Sequence, residues 1–178
     1  EIEPHDSVER YTGLGVDVAI GRAKITSPWH VEITKDDGST QTLSTKSIVI
    51  ATGAAPFVPP LPGLDDVGYL TSDTLWGLRE QPKRLVVLGG GPIGCELAQS
   101  FARLGSQVTQ IEMLPRIMIR EDEEVSAYAK KALEADGVTI LTGHKALRCE
   151  KRDEAKSIVV ENNGKESSIE FDVLLCAV

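Results

Sequence analysis

The stretch LVVLGGGPIGCELAQ, residues 85–99, narrows the possible folds more than any other part of this chain. Leu85 to Leu88 form the uninterrupted apolar run expected of a parallel strand covered on both faces. Gly89, Gly91 and Gly94 follow at G-x-G-x-x-G spacing, and a helical pattern starts at once. Strand, glycine turn and helix in such close succession predict an α/β, Rossmann-like unit. There Gly89 makes the tight turn, Gly91 lets a phosphate approach the backbone, and Gly94 lets helix and strand pack closely. Ile93, Leu97, Phe101 and Leu104, with Ala98 and Ala102 beside them, predict the stripe of the helix that faces the sheet. The free amides and dipole at the helix start make a ready site for a dinucleotide's pyrophosphate.

The glycine pattern alone is weak, and its context does the discriminating. A second strand, SQVTQIEM, reaches Glu112 near the offset of about 20 residues at which such units carry an acid for the adenine ribose hydroxyls. A carboxylate there repels a 2′-phosphate, so the cofactor expected is NAD and not NADP. Arg116, four residues further, is read as a surface residue beyond the turn at Leu114 and Pro115.

Other ligand classes are disfavoured by composition. The net charge is −8, and no Lys/Arg cluster of the size needed for nucleic acid occurs. No apolar run approaches the roughly 20 residues of a membrane span, and no signal-peptide pattern opens the sequence. Cys95, Cys149 and Cys176 form no paired motif, which points to reduced thiols in a cytoplasmic setting. Cys149 and Cys176 read as small buried hydrophobes. Cys95 falls in the first turn of the predicted helix, where the dipole favours a lowered pKa. His5, His30 and His144 have neither metal-ligand nor dyad spacing, so no metal site is expected.

An internal repeat organises the rest. GVDVAIGRAKI from Gly15 and GVTILTGHKAL from Gly137 are each followed by alternating apolar residues around Asp-Gly or Asn-Gly turns, the signature of a β-ribbon. Each copy then closes on an apolar strand, SIVIATG from Ser47 and DVLLCAV from Asp172. The second copy is preceded by a βαβ passage that the first lacks, so the chain reads as a fragment of a longer protein. Between the copies, TGAAPFVPPLPGLDDVG is expected to be an extended connection without helix. TSDTLWGLREQPKR then predicts a short helix, capped by Ser72 or Asp73 and ended by Pro82.

Three stretches, KSIVIATGAAPFVPPLPG, PKRLVVLGGGPIGCELAQSFARLGSQVTQIEMLPRIM and FDVLLCAV, together resemble the pyridine nucleotide–disulfide oxidoreductases. These flavoproteins include dihydrolipoamide dehydrogenase and mercuric reductase. The resemblance implies that residues 1–52 are the C-terminal part of a first FAD-domain segment, with its β-ribbon and closing strand. Residues 53–82 would be a crossover linker, and 83–178 a Rossmann-like NAD domain cut at its last strand. Gly89, Gly90, Gly91, Pro92, Ile93, Gly94, Cys95 and Glu96 match the family's pyrophosphate loop, Glu112 its ribose-binding acid, and Ala146 a position near the adenine end. The carboxylate at the Glu96 position pairs in the family with a lysine beside the flavin. From the residues alone it reads equally well as a buried first-turn acid. Gly94 and Glu112 place the chain with the NAD users, on the dihydrolipoamide dehydrogenase-like side.

FAD is implied for the complete enzyme, as is a homodimer. This stretch carries no FAD fingerprint, no CxxxxC and no catalytic residue, and by itself is expected to be inactive. Two further readings stay open: an NADH oxidase or ferredoxin reductase lacking the redox disulfide, and a non-enzymatic NAD-sensing module.

Overall fold

In the computed structural model, which describes residues 5–178, the chain separates after Gly53 into two units. The first begins with α1 (Val8–Gly13), whose N-cap Ser7 accepts a hydrogen bond from the Arg10 amide at 3.2 Å. An antiparallel meander follows, β1 (Arg22–Ser27), β2 (His30–Thr34) and β3 (Thr40–Ser44), in the order β1-β2-β3. Asp37 shapes the second turn by accepting from both the amide and the hydroxyl of Ser39.

The predicted closing strand of this unit does not form. Val49 and Ile50 are 87% and 71% exposed, and residues 47–53 join no ladder among the described residues. Val16, Val18 and Ile20 are likewise exposed and outside any strand. An all-apolar strand needs hydrogen-bonded neighbours on its edges and cover on its faces. Among the described residues nothing supplies either to these two segments.

In the second unit, β4 (Arg84–Leu88), β5 (Gln107–Glu112), β6 (Thr139–Thr142) and β10 (Val173–Cys176) form a parallel sheet in the order β10-β4-β5-β6. Side chains alternate across β4. Leu85 and Val87 face a core shared with α3 (Pro92–Arg103) and α4 (Glu123–Ala135), where Cys95, Ala98 and Leu133 are buried. Val86 and Leu88 face the opposite core, built with Ile158, Val160 and Phe171 of a second antiparallel meander. That meander comprises β7 (Lys145–Arg152), β8 (Ala155–Asn162) and β9 (Lys165–Phe171). The result is three layers: helices, parallel sheet, meander. The repeated ribbon is therefore real in both units, and the second copy's DVLLCAV does form its strand.

Three local expectations are corrected. The face of α3 toward the sheet passes through Gly94, Cys95 and Ala98, with Leu97, Phe101 and Ala102 partly buried. Ile93, in the first turn, and Leu104, the C-cap beyond the last helical residue, are 50% and 67% exposed. The connection does contain a helix, α2 (Leu64–Val67): Leu64 and Val67, three apart, are both buried. Gly63 seats it against β7, where the Cys149 amide donates to Pro62 O at 2.7 Å. Finally, TSDTLWG makes only a 3₁₀ turn at Leu75–Gly77, after which Leu78 is extended. A glycine in so short a helix costs about 1 kcal/mol, and the hydroxyls of Thr71 and Thr74 bond to local amides instead. No helix of the described residues is long and apolar enough to cross a membrane.

Candidate dinucleotide-binding site

The C-terminal ends of β4 and β5 and the start of α3 meet at the glycine turn. Gly89 has φ +121°, and a β-carbon there would run into the carbonyl of Ala177. Gly94 lies equally tight against the carbonyl of Gly89. These two are packing glycines. Gly91, the N-cap of α3, is different: its φ is −74°, and a β-carbon would meet nothing within 4 Å. Open space in front of this residue is what close approach by a ligand requires.

No side chain caps α3, and Pro92 at its first position has no N–H to satisfy. The Cys95 amide bonds to Gly91 O at 3.0 Å, whereas the amides of Ile93 and Gly94 have no protein acceptor among the described residues. Two donors without a protein acceptor among the described residues thus lie at the positive end of a twelve-residue helix, next to Gly91. An oxyanion suits that place.

Glu112 ends β5 beside this turn. Its Oε2 accepts from the Gly90 amide at 2.6 Å and its Oε1 from the Leu114 amide at 2.7 Å. Both oxygens thus take backbone donors, and the carboxylate sits at the mouth of the turn. The backbone of the same residue reaches the start of the second meander, since the His144 amide donates to Glu112 O at 3.0 Å. Ala146 lies two residues beyond, half-buried at the start of β7 against the core under the sheet.

The structure thereby brings together Gly89, Gly90, Gly91, Pro92, Ile93, Gly94, Cys95 and Glu112, with Ala146 on the adjoining strand. Glu96 departs from its reading as a buried first-turn acid. It is exposed and lies beyond the first turn, because α3 begins at Pro92. Cys95 departs as well. Burial pushes its thiol up and outweighs the lowering effect of the Gln110 hydrogen bond, with the Glu112 and Glu96 charges adding to the rise. It stays a neutral thiol that donates to Gly90 O at 3.6 Å. Arg116 is committed to its own loop. Its guanidinium donates to the carbonyls of Met118, Ile119 and Glu121, at 3.2, 2.9 and 2.8 Å.

Sequence reasoning missed Gln110. This residue of β5 is fully buried, and its Nε2 donates to Gly89 O at 2.9 Å and approaches Cys95 Sγ at 3.5 Å. Its Oε1 has no partner. Burying an unsatisfied amide oxygen costs about 1–3 kcal/mol. The available signal was an amide side chain in a strand whose other central residues suit burial.

Fold and turn together define a Rossmann-type unit of the kind that pairs a helix-tip anion site with an acid on the next strand. The chain belongs to the family described as pyridine nucleotide-disulphide oxidoreductase, whose model matches residues 3–178. Its members among the relatives are oxidoreductases, as the motifs implied. The chain is 39% identical to mercuric reductase of Bacillus cereus over 173 residues, covering 95% of this chain and 27% of that protein. It is 41% identical to dihydrolipoyl dehydrogenase of Chlorobaculum tepidum over 132 residues, covering 73% of this chain and 28% of that protein. Among solved structures it resembles the Cu(II) complex of a mutant of the HOCl-induced flavoprotein disulfide reductase RclA from Escherichia coli. That match has a TM-score of 0.74 and 28% identity, and covers 96% of this chain and 38% of that one. The chain therefore spans roughly a third of the length of these relatives.

Proposed function

We propose that residues 83–178 are the NAD(H)-binding domain of an FAD-dependent disulfide oxidoreductase, presenting the nicotinamide so that its hydride reaches a flavin and then a disulfide-type acceptor. The observation that carries this reading is Glu112, held on the Gly90 amide beside the open, donor-lined approach at Gly91. A pyrophosphate takes the amides of Ile93 and Gly94, and the acid takes the ribose hydroxyls. The same carboxylate disfavours a 2′-phosphate, and the Arg116 guanidinium is held on three carbonyls of its own loop. NAD supplies hydride chemistry when bound; this chain's residues bind and orient it.

FAD does not fit the residues present in the same way. The sequence has one G-x-G-x-x-G turn, and it is the one just described. The chain by itself is expected to be colourless and inactive as a diaphorase. In the complete enzyme a homodimer is the expected assembly. Three unpaired thiols support a reducing, cytoplasmic setting.

Calorimetric titration of the chain with NADH and NADPH tests the reading. NADH binds more tightly, and Glu112→Ala narrows the gap. Equal affinities in the unmutated chain refute the assignment.

A further inference from the structure

The glycine turn is held from inside the protein as well as being open on its outside. A trans peptide points its carbonyl and its N–H in opposite directions, so fixing one aims the other. In the Gly89–Gly90 peptide the carbonyl is drawn inward by Gln110 Nε2 at 2.9 Å, and the Gly90 N–H accordingly emerges toward Glu112 Oε2 at 2.6 Å. In the Gly90–Gly91 peptide the carbonyl is held by the Met118 amide at 2.6 Å and the Cys95 thiol at 3.6 Å, which turns the Gly91 N–H the other way. A buried amide side chain therefore stands directly behind the hydrogen bond that orients the acid.

Gln110 is poorly explained as packing. It lies wholly inside the sheet and leaves Oε1 without a partner, an orphan that an apolar side chain of equal size would not bring with it. What the amide supplies, and an apolar residue does not, is the donor to Gly89 O.

We infer that Gln110 is a positioning residue for cofactor selection: through the Gly89–Gly90 peptide it sets the Glu112 carboxylate in the place where it accepts an unphosphorylated ribose and rejects a 2′-phosphate. This rests on the dinucleotide reading above. Without the Nε2 donor the peptide is free to rotate, Gly90 N–H leaves Oε2, and the carboxylate can swing away from the ribose. NADH then loses a ligand while NADPH loses a repulsion. A general packing defect weakens both cofactors alike, so the ratio of the two affinities is the readout that matters.

The test uses the whole 178-residue chain with Gln110→Met, close in size and lacking the donor, and with Gln110→Leu as a second variant should the first not fold. NADH and NADPH affinities are measured calorimetrically in the Glu112 and Glu112→Ala backgrounds. The expected result is an NADH-over-NADPH preference reduced about tenfold by the Gln110 substitution, the scale of one charge-assisted hydrogen bond. The same substitution changes nothing in the Glu112→Ala background, because the two residues act in series. An unchanged ratio, or an equal loss for both cofactors, overturns the role given to Gln110 while leaving NAD binding intact. Failure of the unmutated chain to prefer NADH overturns the dinucleotide reading and this inference with it.

Discussion

Gly94 packs so closely on the carbonyl of Gly89 that a β-carbon at position 94 overlaps it, with Gln110 Nε2 only 3.3 Å away. Neither neighbour can yield, one being backbone and the other a buried, hydrogen-bonded amide. Gly94→Ala is therefore expected to destabilise the unit by about 1–3 kcal/mol. Gly91 has the opposite character. Serine there has room, suits the extended N-cap conformation, and caps the Ile93 or Gly94 amide, for a gain of a few tenths of a kcal/mol. By taking that amide it lowers dinucleotide affinity about tenfold or more. Urea unfolding and NADH titration of both variants check these opposite signs.

The three thiols are expected to be inert in the folded chain. Burial pushes Cys149 and Cys176 up to about 11 and also raises Cys95, and only a thiolate attacks a disulfide reagent. Mass spectrometry after brief treatment with an aromatic disulfide at pH 7.5 should find no label in the native chain. In guanidinium chloride all three cysteines should be labelled.

Asp136, the C-cap of α4, accepts from Gln99 Nε2 at 2.7 Å and pairs with Arg103 at 2.8 Å, tying the two helices together. The Gln99 hydrogen bond foremost, and the Arg103 guanidinium after it, hold this carboxyl below its usual 3.8. A depressed folded pKa means that the contribution is present above the ordinary value and fades as pH falls through the lower one. Asp136→Asn is expected to lower the thermal midpoint by about 2 °C at pH 7. The deficit should close progressively below about pH 4 in scanning calorimetry.

Arg116→Ala removes three hydrogen bonds to the carbonyls of the 118–121 loop. A loss of about 1–2 kcal/mol in urea unfolding is expected. NADPH affinity should stay within about twofold of the unmutated chain, since this guanidinium is held on the carbonyls of its own loop. A large fall in NADPH affinity alone would return Arg116 to the role of phosphate ligand.

The glycine turn, the acid at Glu112 and the paired ribbons were legible because each is written in local pattern: fixed glycine spacing, strand alternation, turn chemistry. What escaped depended on distant partners. SIVIATG and DVLLCAV look alike, yet only Val173–Cys176 finds a ladder, beside β4. On α3, Leu97, Ala98, Phe101 and Ala102 pack as the stripe predicts, whereas Ile93 and Leu104 fall at the two ends of the helix and stay exposed. Leu64 and Val67 became helical between two glycines because β7 offered a surface to bury them. Gln110 carries no motif, and its meaning emerges only when Gly89 O is seen in front of it.

β10 also governs when the turn is finished. Gly89 rests on the carbonyl of Ala177, the Ala177 amide bonds Leu88 O at 2.8 Å, and the anchoring pair Arg84–Asp172 spans 88 positions. A ribosome thus releases the motif long before the strand that seats it, and closing so long a loop is slow compared with forming the adjacent helix. Ligand competence should be acquired late in biogenesis, timed by residues translated almost ninety codons after the glycines themselves.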